Sequence, residues 1–216
     1  MGIIMADDSN KTDDLLRRAA EGDEKSWGAL LTRHADRLRR MVAFRLDQRL
    51  QGRIDPSDVI QESHLEAWRH LADYLRDPSL PFFLWLRGIV GNKMRELHRH
   101  HLGTKMRDAG REVSLYRGTM PETTSAALAA QLMGHMTRPS EAAVRAEIKV
   151  RLQEALNSMD PLDREVLALR HFEQLSPVET AQVLGIKEKA AGMRYVRALK
   201  RLKEILTALP GGLMEP

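Results

Sequence analysis

"LSPVETAQVLGIKEKAAGMRYVRALKRL", Leu175 to Leu202, holds two helical segments split at a single glycine. Ser176, Pro177 and Glu179 fall at the N-cap, first and third helical positions, a capping box whose proline sits where its missing N–H costs nothing. About two turns fit before Gly185, which suits a left-handed C-cap, and Ile186 can then plug the core as the chain turns into a second helix. There Ala191, Tyr195, Ala198, Leu202 and Ile205 recur at alternating steps of four and three, an apolar stripe that must face other helices. At about 100° per residue the opposite face carries Lys189, Met193, Val196, Arg197 and Lys200, with Gly192 at its edge. This is helix-turn-helix grammar. A helix entering a major groove needs small residues in its N-terminal half and Lys or Arg beside them for phosphates. The same residues also suit a closely packed helix with a solvated basic face, so the pair alone does not assign a function.

Working outward, helical spacing recurs along the chain and alternating Val-, Ile- and Thr-rich runs are absent, so the predicted class is all-α. The pattern predicts a short helix over about Asp13–Glu21 stopped by Gly22, and a long one from Glu24 toward Leu50 capped by Asp23. A third opens at Asp55-Pro56 and runs to about Ala72, then "DYLRDPSLP" forms a loop. A fourth spans about Pro81–His101. Residues 102–139 scatter Gly, Pro, Ser and Thr without sustained periodicity and read as a flexible linker, although "SAALAAQLMGHM" has room for a turn or two of helix. Ser140 then caps another helix, and Asp160-Pro161 opens the next. Two small helical domains are expected, 13–101 and 140–209, joined by 102–139, the second bearing the helix-turn-helix.

The 216 residues are 43% hydrophobic, enough to bury a core, and 30% charged with a formal net charge of only +4. Any surface for a polyanion must therefore arise by local clustering. The absence of cysteine excludes disulfides and Cys-ligated zinc and fits a reducing, cytoplasmic setting. No segment approaches bilayer length, so no membrane role is expected.

In the N-terminal half, Ile60, His64, Ala67, Trp68 and Leu71 share one helix face, while Asp58, Gln61, Glu62 and Leu65 share nearly the opposite one. The second face is acidic and amide-bearing: a solvated face, or a docking strip for a basic partner. The following "PFFLWLRGIVGNKMRELHRHHL" places Phe82, Trp85, Leu86, Ile89 and Val90 ahead of Arg87, Lys93, Arg95 and Arg99. Rings beside cations can stack and neutralise an opened DNA strand. At helical spacing they are equally a core.

Together these residues resemble the extracytoplasmic-function (ECF) type RNA polymerase sigma factors of the sigma-70 family. "DPSDVIQESHLEAWRHL" is similar to the family's core-polymerase docking helix, and Phe82, Trp85, Leu86, Ile89 and Asn92 match its F-x-x-W-L-x-x-I-x-x-N stretch. "LDREVLALRHFEQLSPVETAQVLGIKEKAAGMRYVRALKRL" resembles its promoter-reading C-terminal domain, so the likeness covers about Asp13 to Leu206. The resemblance implies that Asp58, Gln61, Glu62 and Leu65 bind the coiled coil of the polymerase largest subunit. It implies that Tyr74 to Pro81 and the helix through Asn92, with Tyr74, Arg76 and Trp85 among them, hold −10 element bases, while Lys93, Arg95 and Arg99 contact backbone. Lys187, Lys189, Gly192, Met193, Val196, Arg197 and Lys200 would face the −35 element, and the linker would thread the polymerase cleft. The sequence departs from the family at Ala190, where Thr is usual, and at Gly192, where Lys or Arg is usual. Arg197 is then left as the principal guanine or phosphate reader, with apolar support from Met193 or Val196.

The implied partners are core RNA polymerase, promoter DNA and an anti-sigma factor, with no cofactor and no small-molecule substrate. His98 and His101 at i, i+3 have no acidic or cysteine ligand nearby in sequence and read as a basic helix end rather than a metal site. "RGIVGN" lacks the Lys-Ser/Thr of a phosphate loop, and no nucleophile motif occurs, so no catalytic residue is assigned. Two other readings stay open: a stand-alone helix-turn-helix repressor or response regulator, and a helical scaffold without DNA affinity.

Overall fold

The computed structural model describes residues 3–47, 49–50, 52–102, 125–134 and 142–208. Among them there is no strand, in accord with the predicted class. The elements are α1 (Ile3–Ala20), α2 (Glu24–Arg45), α3 (Pro56–Arg76), α4 (Phe82–Leu102), α5 (Ser125–Gly134), α6 (Ala142–Asn157), α7 (Pro161–Leu167), a π-helical turn (Ala168–Phe172), α8 (Pro177–Leu184) and α9 (Glu188–Ala208). They form two compact units. One holds α1, α2 as far as Ala43, α3 and α4; the other holds α5 to α9 together with residues 44–49.

The helix starts follow the expected chemistry. Asp23 Oδ1 accepts from the backbone N–H of Lys25 at 3.0 Å and Oδ2 from the Ser26 hydroxyl at 2.7 Å. Asp55 accepts from the Ser57 N–H at 2.7 Å with Pro56 in the first turn, and Asp160 caps α7 through the N–H groups of Leu162 and Asp163. Three boundaries differ from the expected ones: α3 runs on to Arg76, so that the first four residues of the expected loop are helical, and the other two lie in α1 and α2. α1 begins at Ile3 rather than near Asp13, there being no Gly or Pro in the stretch to interrupt it. α2 ends at Arg45, short of Leu50. The Ser140 cap lies outside the described residues.

In the first unit α4 is the centre. Every residue from Phe82 to Gly91 is buried, as expected of a helix that is apolar all round, and α3 packs along it. Leu30, Leu38 and Met41 of α2 join Leu86, Val90 and Met94 of α4 in the core.

In the second unit Leu128, Ala129 and Met133 of α5 are packed with Ile148, Leu152 and Leu156 of α6 and Ala198 and Ile205 of α9. Residues 125–134 of the expected linker are thus a core helix; 103–124 and 135–139 lie outside the described residues. The reason is compositional. "SAALAAQLMG" has no polar face from which a helical period can be read, because it is covered on several sides. Arg45, within the residues 44–49 that belong to this unit, is fully buried and bonded to Glu165 and Glu173. A guanidinium so enclosed is tolerable only with both carboxylates in place.

Candidate functional site

The C-terminal helix pair is built as the sequence dictates. The Glu179 N–H donates to Ser176 Oγ at 3.1 Å, and the Ser176 N–H donates to Glu179 Oε2 at 2.7 Å, so two helix-end donors are satisfied reciprocally. Gly185 stands at φ 64°, ψ 31°, and the Ile186 N–H closes the turn on the Ala181 carbonyl at 3.1 Å. Ala191, Ala198 and Ile205 are buried and Tyr195 and Leu202 half-buried, which fixes the rotation of α9. Lys187, Lys189, Gly192, Met193, Val196, Arg197 and Lys200 are all exposed as a result. Met193 and Val196 are 66% and 67% exposed, too open to be core contacts. A Cβ added at Gly192 would meet nothing within 4 Å, so close helix packing is not what that glycine serves.

One contact on this face has no precursor in the sequence pattern. Asp163, the third residue of α7 and buried, accepts from Arg197 Nε and Nη2 at 2.8 Å each and from Arg194 Nη1 at 2.9 Å. The Arg197 hydrogen bonds, and then those of Arg194, hold its carboxyl below the ordinary range against the opposing effect of burial. An acid in the first turn of a helix reads locally as a partner for the helix dipole, and these partners lie 31 and 34 residues away. Neither Asp163 nor Arg194 was legible as a site residue.

On α3, Asp58, Gln61, Glu62 and Leu65 are exposed on one strip, with Leu65 at 63%. Trp68, expected on the buried face, is 40% exposed beside it and lies over Trp27 with ring centroids 5.3 Å apart. Strip and basic helix also meet: Lys93 Nζ lies 2.8 Å from Glu62 Oε2 and 3.3 Å from Glu96 Oε2. The Glu62 bond is the chief cause of a raised Lys93 pKa.

The residues assigned to the −10 element separate into two groups. Arg76 and Arg99 are exposed, Arg76 pairing with Asp73, and Asn92, Lys93 and Arg95 are half-buried, with Arg95 donating to Asn92 Oδ1. Tyr74 and Trp85 lie in the core of the first unit. Trp85 is 1% and Tyr74 5% exposed; their rings stack at 4.5 Å and 26°, and both lie against Phe82. The Tyr74 hydroxyl donates to the Leu80 carbonyl at 3.0 Å, which ties the loop before α4 to α3. Burial, then the Asp13 charge, pushes its pKa up to about 12. Among the described residues no cluster of three or more His, Cys, Asp or Glu is placed to hold a metal ion, and no helix is long and apolar enough to cross a membrane.

The two helical units thus carry three exposed surfaces: the acidic strip of α3, the basic end of α4 and the outward face of α9. Residues 149–202 match the family model described as "Sigma-70, region 4". The chain is 32% identical over 197 residues to the RNA polymerase sigma factor CnrH of Cupriavidus metallidurans, covering 90% of this chain and 93% of that one. It is 30% identical to the RNA polymerase sigma factor NccH of Alcaligenes xylosoxydans xylosoxydans over 89% and 92% of the two chains. A solved structure of CnrH in complex with the cytosolic domain of CnrY superposes with TM-score 0.52 and 28% identity, covering 92% of this chain and 98% of that one. The chain belongs to the RNA polymerase sigma factors of the ECF type.

Proposed function

We propose that this sigma factor divides its work among the three surfaces described. The α3 strip, Asp58, Gln61, Glu62 and Leu65 with Trp68 at its margin, docks on core RNA polymerase. Its exposed apolar residues supply contact area and its acids steer association with a basic partner. The exposed part of the α4 surface, with Arg76, Asn92, Lys93, Arg95, Arg99 and the loop after α3, engages the −10 region. Tyr74 and Trp85 support that surface from beneath. The outward face of α9 enters the major groove at the −35 element, Lys187, Lys189 and Lys200 meeting phosphates while Arg197, Met193 and Val196 meet base edges.

The observation that carries the reading is the α9 face: Met193, Val196 and Arg197 are exposed on a helix whose opposite stripe is locked into the core. The factor catalyses no reaction itself, acts in the cytoplasm where polymerase and promoters are, and needs no cofactor. The solved CnrH structure includes the cytosolic domain of CnrY. An anti-sigma polypeptide is proposed as a partner of this chain on that ground.

The test is reconstitution with core polymerase on templates bearing intact, −10-scrambled or −35-scrambled promoters. Transcripts should depend on both elements; equal transcription from intact and −35-scrambled templates refutes the role of α9. Asp58→Lys should slow association with core polymerase several-fold, with a weaker salt dependence, in a direct titration. Unchanged kinetics refute the docking strip.

A further inference from the structure

We propose that Asp163 is a positioning residue that fixes which edge of the Arg197 guanidinium meets DNA. The proposal rests on the reading of α9 as the −35 helix and specifies how its principal reader is held. The Arg197 bonds to Asp163 run through Nε and Nη2, the side-on edge of the guanidinium. A guanidinium has a second parallel donor pair, Nη1 and Nη2, at its end, and that pair remains for a bidentate acceptor. Guanine offers such an acceptor in the major groove through O6 and N7. The Arg197 side chain is 60% exposed while the Asp163 side chain is 8% exposed, so the carboxylate forms a floor and the arginine stands on it facing outward.

The alternatives available to Arg197 explain why a floor matters. A free exposed arginine samples many rotamers and follows phosphates as readily as bases, which gives affinity without preference. One held on a buried carboxylate gives up much of that freedom on folding, before DNA arrives, and so binds in a single register. Arg194 Nη1, 2.9 Å from Asp163 Oδ1, also donates to the carboxylate and steadies it, and Asp160 Oδ1 accepts from the Asp163 N–H at 3.3 Å. The floor is therefore anchored to α7 as well as to α9. The net charge of the trio is +1, and its function is selectivity, not overall attraction.

The experiment uses the full chain with core RNA polymerase and a duplex pool with a fixed −10 region and a randomised −35 segment. The parent is expected to enrich guanine at one position, and Arg197→Ala to lose that enrichment. Asp163→Asn should reduce the preference at that same position by about tenfold, leave preferences elsewhere in place, and raise retention of non-enriched duplexes. Asp163→Glu keeps the charge and moves the carboxylate by one methylene. It should also lose the preference while its salt dependence stays that of the parent, which separates positioning from charge if the asparagine variant folds poorly. Parental guanine preference in Asp163→Glu, or a uniform loss at all positions in both variants, overturns the proposal. If Arg197→Ala itself leaves the preference intact, the assignment of Arg197 as base reader fails and the floor fails with it. A preference lost in Arg197→Ala but kept in both Asp163 variants refutes the floor alone.

Discussion

Replacing Trp85 by alanine separates a core role from a base-stacking role. The side chain is 1% exposed, stacked on Tyr74 at 4.5 Å and tilted against Phe82 at 5.6 Å. A buried aromatic ring removes about 150–250 Å² from water, which at about 25 cal/mol per Å² is roughly 4–6 kcal/mol. Measured Trp→Ala substitutions in cores cost about 3–5 kcal/mol. Against a domain stability of about 5–15 kcal/mol this is about a fifth or more of the total. With a urea dependence of about 2 kcal/mol per M, the unfolding midpoint should fall by about 2 M. The readout is selective because all three tryptophans, Trp27, Trp68 and Trp85, lie in the first unit, and the variant keeps two of them. Their fluorescence follows that unit without assuming that the whole chain unfolds in one step. Among the described residues the indole N–H has no acceptor, so Trp85→Phe removes no hydrogen bond and should cost a fraction of the alanine value. An unchanged urea midpoint in Trp85→Ala combined with loss of open-complex formation refutes the core assignment and restores the ring to the DNA.

Gly185→Ala meets no steric obstacle, since a Cβ there has nothing within 4 Å, yet it forces an L-residue to hold φ 64°. The expected cost is about 1–2 kcal/mol to the second unit, read as earlier hydrogen exchange of the α8 and α9 amides; parental exchange refutes it. The Asp23 carboxyl is held at about 2, chiefly by the Ser26 hydroxyl, with backbone N–H groups and Arg18 adding to it against desolvation. A depressed folded value means that the capping contribution is complete above about pH 4 and is lost as pH falls through about 2. An NMR titration of that carboxyl with a midpoint near 4 contradicts this cap.

How much of the site was legible depended on how far apart its parts lie in sequence. The face of α9 was readable because one period of 3.6 residues fixes both its buried stripe and its outward set, and the capping box and Gly185 fix where the helix begins. The strip on α3 followed in the same way. Trp68 escaped that reading because a helical wheel assigns an angle and not the height of the neighbouring surface, and here Trp27 covers only part of the ring. The aromatic run of α4 allowed two uses, core or stacking platform, and periodicity cannot choose between them when apolar residues surround the helix.

The sequence by itself determined the helical class, the caps, the turn at Gly185 and the rotation of the amphipathic helices, since each rests on residues within a turn or two of one another. Only the tertiary structure decided that Tyr74 and Trp85 face each other, that "SAALAAQLMG" is a core helix, and that Asp163 reaches Arg194 and Arg197. Those outcomes depend on which surfaces meet after the chain has folded back over tens of residues, and burial on all sides erases the polar–apolar contrast from which a face is read.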